Sequence, residues 1–246
     1  TKILLDCGMF QGLKDERLKN RQEMPIHPKN IDAIVLTHGH LDHCGLIPLI
    51  VKNGFRGKVY CTDATYEICK LVLPDSGFLQ EEDAKYARKK GFAKHKNPEA
   101  LYNEEDAIKS LKYFHPVSFN KEFNISNDMT ARFIQDGHIL GSGNVMVKAN
   151  GKSILFSGDL GRQDDPILYP PKPAETADYI VVESTYGNRK HLDIDPMDEL
   201  EKLINKTIKR GGNIIMPAFA VGRSQNILYY LYQLKKQNRI PNITVF

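Results

Sequence analysis

The residues best suited to chemistry stand almost side by side. Thr37 is followed at once by His38, Gly39, His40, Leu41, Asp42 and His43. Three imidazoles and one carboxylate in so short a run suit a borderline divalent metal such as zinc, which takes nitrogen and oxygen ligands at neutral pH. In an extended segment His38 and His40 project to the same side, as two ligands of one ion must. If the chain then turns into a helix, Asp42 and His43 can face a second ion beside the first. The plain alternative is a polar loop that happens to be rich in histidine. Two further residues weigh against it. His138 lies in Asp136-Gly137-His138-Ile139-Leu140-Gly141-Ser142-Gly143, and Asp159 lies in Ser157-Gly158-Asp159-Leu160-Gly161-Arg162. Both follow strand patterns and sit among glycines, where backbone and metal can approach closely. An aspartate so placed can bridge two ions through its two oxygens. Taken singly, either residue reads equally well as a turn or cap. Taken with the first cluster, both read as ligands.

The elements that must position these residues alternate between strand and helix patterns. Ile3–Leu5 and Asp32–Thr37 read as strands ending at Asp6 and His38. Leu46–Lys52 reads as a helix stopped by Asn53-Gly54, and Lys58–Cys61 as a strand. Residues 64–93 read as a long charged helix broken near Pro74, and Glu104–Leu111 as a further helix. From Tyr113 to Phe156 several strands are punctuated by turn residues. Asn150-Gly151 between Val145–Ala149 and Lys152–Phe156 is a hairpin signal. Tyr179–Glu183 reads as a buried strand. A helix near Met197–Arg210, a strand at Asn213–Met216, a helix at Val221–Lys235 and a strand at Ile243–Phe246 follow. This last stretch predicts a β-α-β-α-β unit with a parallel sheet.

Composition bounds the class. The chain has 246 residues, 41% hydrophobic and 26% charged, which is ordinary for a globular protein and excludes a disordered or fibrous chain. No apolar run approaches a membrane span, so no membrane partner is expected. The net charge of +4 permits an anionic partner without requiring one. Cys7, Cys44, Cys61 and Cys69 lack close pairing or C-x-x-C spacing, and read as free buried thiols in a reducing compartment, which predicts a cytoplasmic location. Thr1 starts inside an apolar strand pattern and Phe246 ends one, which suggests a fragment.

Asp6, His38-x-His40-x-Asp42-His43, His138 and Asp159 resemble, in order, the first four motifs of the metallo-β-lactamase superfamily. The resemblance implies an α/β fold, the metallo-β-lactamase αββα sandwich, here truncated at its N-terminus. It implies two Zn2+ ions, with His38, His40 and His138 on one and Asp42, His43 and bridging Asp159 on the other. Asp6 would orient a ligand from outside the metal shell. Asp6-Cys7-Gly8-Met9-Phe10-Gln11-Gly12, Glu183-Ser184-Thr185-Tyr186-Gly187 and Pro217-Ala218-Phe219-Ala220-Val221-Gly222-Arg223-Ser224-Gln225 further resemble the β-CASP group of nucleases that process RNA. Over nearly the whole chain the similarity is to bacterial relatives of the polyadenylation-factor endonuclease and to RNase J. The implied organisation is a metallo-β-lactamase core over 1–196 and the beginning of a β-CASP domain over 197–246. Two later β-CASP histidines would lie beyond residue 246.

What the resemblance implies is zinc-dependent hydrolysis of RNA, leaving a 5′-phosphate and a 3′-hydroxyl. Asp42 and Glu183 are its candidate catalytic carboxylates. The expected partner is single-stranded RNA, and the expected assembly a homodimer. Arg223, at the start of a helix, could touch a phosphate or form a structural ion pair. His191 stands in the position of a family histidine, although Asn188 replaces the more usual Asp nearby. His27, His95 and His115 have no ligand-like company. Lys85, Arg88, Lys89, Lys90, Lys94 and Lys96 could guide an RNA backbone, but read better as a solvated helix face. Two rival functions remain at this stage. One is a related hydrolase of a thioester, lactone or small phosphodiester, which the segments after Glu183 argue against. The other is a non-catalytic RNA-binding scaffold, which the intact ligand positions argue against.

Overall fold

The computed structural model describes residues 1–91, 98–190 and 193–246, which form two compact units. The first unit comprises Thr1–Arg162 and Pro170–Glu183, and the second Gln163–Tyr169 and Ser184–Phe246.

The first unit holds β1 (Ile3–Leu5), α1 (Lys14–Lys19), β2 (Ala33–Val35), α2 (Leu41–Cys44), α3 (Ile47–Lys52), β3 (Lys58–Cys61), α4 (Asp63–Lys90) and α5 (Glu104–Ser110). These are followed by β4 (Phe114–Pro116), β5 (Phe123–Asn124), β6 (Met129–Gln135), β7 (Gly143–Ala149), β8 (Lys152–Phe156) and β9 (Tyr179–Val181). β1 to β4 make a parallel sheet in sequence order, and β5 to β9 a second sheet in sequence order. The second sheet is antiparallel except where β8 and β9 pair in parallel.

Strand alternation builds the layers. Ala33, Val35 and Tyr60 of the parallel sheet pack with Ala131, Phe133, Val145 and Val147 of the second sheet. Their neighbours Ile34, Leu36, Val59 and Cys61 face the other way, against Ile47 and Ile50 of α3, Cys69 and Leu73 of α4 and Ala107 of α5. Helices, parallel sheet and mixed sheet thus account for three layers of the αββα arrangement. The outer face of the second sheet carries the smaller cluster of Ile134, Met146 and Leu155. The Asn150-Gly151 hairpin forms as read, with positive φ at both residues (52° and 71°) and Ala149 opposite Lys152.

Three expectations need correction. α4 runs unbroken through Pro74. Its interior proline forfeits a backbone hydrogen bond at a cost of about 3 kcal/mol. Burial of Ile68, Cys69 and Leu73, and the Tyr102 hydroxyl donating to Ser76 at 2.9 Å, hold the helix across it. Residues 179–183 extend as a strand only to Val181, and β9 is exposed rather than buried. Tyr179, Ile180 and Val181 lie 57%, 60% and 54% exposed, and β9 is the last strand of its sheet among the described residues. In the second unit the helices α6 (Pro196–Lys209) and α7 (Arg223–Lys236) form, but neither Asn213–Met216 nor Ile243–Phe246 pairs into a sheet among the described residues. A parallel pair needs cover on both faces, and Ile215 is 90% exposed. The core of this unit is Ile204, Leu231, Leu234 and Ile240. No helix of the described residues is long and apolar enough to cross a membrane.

Candidate metal centre

The candidate residues issue from strand ends of the first unit. Asp6 follows β1, His38 and His40 follow β2, and Asp42 and His43 occupy α2. His138 lies between β6 and β7, Asp159 after β8 and Glu183 after β9. Cys7 N–H donates to the His43 carbonyl at 2.6 Å and Gly45 N–H to the Gly8 carbonyl at 2.7 Å, which tie the segment after β1 to α2.

The nitrogens converge. His38 Nε2 lies 3.0 Å from His40 Nδ1, which lies 3.1 Å from His138 Nε2. Two nitrogens on one tetrahedral zinc at about 2.0–2.1 Å stand roughly 3.3 Å apart, so this is ligand spacing. One ligand atom each from His38, His40, His138 and Asp159 fall within 4.8 Å of one another. Asp159 turns its two oxygens to different neighbours. Oδ2 lies 3.4 Å from His138 Nε2 and 3.8 Å from His38 Nε2, while Oδ1 lies 3.3 Å from His43 Nε2. Asp42 Oδ2 is 3.7 Å from the same His43 nitrogen. The donor set and its spacing fit a divalent cation at the three-histidine cluster.

Asp6 governs two of these imidazoles. It takes the Thr37 amide on Oδ1 and the Thr37 hydroxyl on Oδ2, both at 2.8 Å. His43 Nδ1 donates to Oδ2 at 2.7 Å. The Thr37 hydroxyl stands 3.0 Å from His38 Nδ1. With Nδ1 of each ring engaged in this way, the Nε2 lone pairs of His38 and His43 are left for the cluster.

Charge follows the same geometry. Burial, reinforced by His43, His138 and His40, lowers the pKa of His38, which keeps the ring neutral as a ligand. Burial also lowers that of His138. Burial opposes protonation of His43, but its bonds to Asp159 and Asp6 prevail and raise it to about 10. The bond from His43 leads the causes that hold Asp159 down at about 2. The carboxylates around His43 therefore favour a positive charge there, which a cation also supplies.

The positioning of His138 rests on residues that the sequence did not flag. Asp136 is fully buried and accepts the His138 amide at 3.0 Å and the Ser142 hydroxyl. Burial raises its pKa to about 7 against those bonds. Ser142 Oγ also accepts the amides of His138 and Ile139, each at 3.0 Å. Thr62, which caps α4, and Thr65 in its first turn donate to the Gly141 carbonyl at 2.6 and 2.9 Å. The one local signal was Asp136 itself, two residues before the histidine.

Glu183 is half-buried and accepts the Leu160 amide at 3.2 Å, next to Asp159. Arg223 is exposed at the first position of α7, in the second unit. His191, His95, Lys94 and Lys96 lie outside the described residues. His27 caps a short turn by accepting the Lys29 amide at 3.2 Å, and His115 packs edge-on to Tyr60. Neither joins the cluster.

With this geometry the family follows. The chain belongs to the metallo-β-lactamase superfamily, whose profile matches residues 1–198. Ribonuclease TTHA0252 of Thermus thermophilus is 33% identical over 246 residues, covering 100% of this chain and 52% of that protein. Transcription termination factor FttA of Methanosarcina mazei is 34% identical, over 100% of this chain and 38% of its own length. Cleavage and polyadenylation specificity factor 73 of Drosophila melanogaster is 31% identical, over 96% of this chain and 33% of its own length. The chain thus spans about half or less of the length of these relatives.

Proposed function

We propose that this chain carries the metal-bearing part of a zinc-dependent ribonuclease that hydrolyses single-stranded RNA. The observation that carries the reading is Asp159, with one oxygen toward His38 and His138 and the other toward His43. That division supports two zinc positions, the first with His38, His40 and His138 and the second with Asp42 and His43. The names of the relatives support RNA as the substrate.

Zinc held there would polarise a phosphoryl oxygen and acidify a nearby water. Asp42, whose side chain is 52% exposed, reaches solvent where an attacking water can be held. In the proposed reaction it takes the water's proton as the oxygen attacks phosphorus. The bond from phosphorus to the 3′ oxygen breaks, leaving a 5′-phosphate and a 3′-hydroxyl. Glu183 fixes the loop of Asp159 through the Leu160 amide, and in the proposed reaction it would pair with a histidine that protonates the leaving oxygen. Asp6 sets the ring orientation of His43 and, through Thr37, of His38. Arg223, exposed at the start of α7, is the candidate contact to a phosphate elsewhere on the RNA, and His191 is a candidate from its sequence position alone. Residues 1–196 form the catalytic core and 197–246 begin the β-CASP domain. Four free buried cysteines support a cytoplasmic setting. A homodimer is part of the same proposal.

The test is cleavage of end-labelled single-stranded RNA by the full-length protein, with bound metal measured by elemental analysis. Asp42→Ala is expected to lower turnover by about 10²- to 10⁴-fold, and His40→Ala to remove bound zinc as well. Undiminished cleavage by both variants overturns the reading. Hydrolysis of a thioester without cleavage of RNA favours the small-molecule alternative.

A further inference from the structure

We propose that Phe10 is a stacking platform for an RNA base next to the scissile phosphate, an inference that rests on the ribonuclease reading. Phe10 stands apart from its neighbours. Cys7 is buried and Met9 packs against the main core, whereas Phe10 is 48% exposed. The backbone beneath it is nonetheless fixed. Asn20, itself buried, accepts the Phe10 amide at 2.8 Å and donates to its carbonyl at 2.7 Å. Lys19 holds its ammonium 5.4 Å from the ring centroid while also pairing with Glu16 at 2.6 Å. An exposed aromatic ring on a pinned backbone, with a cation over one face, suits sequence-tolerant stacking of a nucleobase on the other.

Its place fits that role. Met9 N–H donates to the carbonyl of Leu41, the residue between His40 and Asp42. α-Carbons across such a bond stand about 5 Å apart, and Phe10 lies one residue, about 3.8 Å, further on. The α-carbon of Phe10 therefore stands no more than about 9 Å from that of Leu41, on the segment that borders the cluster. A bound base slides over the ring, and Lys19 lends its charge to the adjoining phosphate. Gln11 and Gly12 are exposed as well, so the approach is open.

The test compares the zinc-loaded full-length protein with its Phe10→Ala and Phe10→Trp variants on a single-stranded RNA and on copies carrying one abasic nucleotide at successive positions. Phe10→Ala is expected to raise KM about 5- to 150-fold with kcat nearly unchanged, and Phe10→Trp to keep the wild-type KM. One abasic position is expected to weaken the wild type by a similar factor and to leave Phe10→Ala unaffected. An unchanged KM in Phe10→Ala, or an equal abasic penalty in both proteins, overturns the stacking role while leaving the ribonuclease reading intact. An altered oligomeric state with unchanged KM reassigns Phe10 to a protein contact. Failure of the wild type to cleave RNA overturns both readings.

Discussion

Asp6 joins the two halves of the candidate centre without entering it. Its carboxylate takes His43 directly and reaches His38 through the Thr37 hydroxyl. An amide in its place could still accept from one partner, but its own N–H groups would oppose the Thr37 donors. Asp6→Asn is therefore expected to weaken zinc binding about 10- to 100-fold, the usual cost of losing such an outer partner. Competition against a chromophoric chelator reads this directly. Equal affinity in the two proteins would leave Asp6 with a merely structural role.

Loops and helices decide where His138 stands. Gly141 adopts φ of +85°, and a Cβ there would meet the Thr65 amide nitrogen at 2.4 Å. Gly141→Ala must push the loop away from α4. It is expected to lower the melting temperature by about 2–10 °C, from roughly 1–3 kcal/mol of strain, and to reduce metal content as His138 shifts. A variant with native melting and full metal would contradict the close approach. Pro74 makes the opposite case. Pro74→Ala restores a backbone donor inside α4 and is expected to stabilise by up to about 3 kcal/mol, seen as a higher melting temperature. The same two places show what was legible in the sequence. His38, His40, Asp42 and His43 could be read as one cluster because they fall within six residues, and β3 and the Asn150-Gly151 hairpin because local pattern sets them. The hold of Thr62 and Thr65 on Gly141 joins residues 79 and 76 positions apart, and no local spacing reveals it. Pro74 misled because buried neighbours outweigh its local cost. Asn213–Met216 misled because an apolar run without a hydrogen-bonding partner is not a strand.

At the scale of the molecule, every residue of the cluster belongs to the first unit. Metal binding should accordingly stabilise that unit as a whole. At free zinc about a hundredfold above Kd the gain is about 2.7 kcal/mol, or roughly 5–10 °C in melting temperature. The shift should vanish with chelator and in His40→Ala, as followed by near-ultraviolet circular dichroism. The free edge at β9 bears on how such melting proceeds. Among the described residues β9 is the last strand of its sheet, and Tyr179 to Val182 present apolar side chains along an edge that another polypeptide strand can adopt as a template. Partly opened molecules that meet through this edge are expected to stick before they close again. Thermal loss of structure becomes a race between chains, with a midpoint that falls as concentration rises and moves with the heating rate.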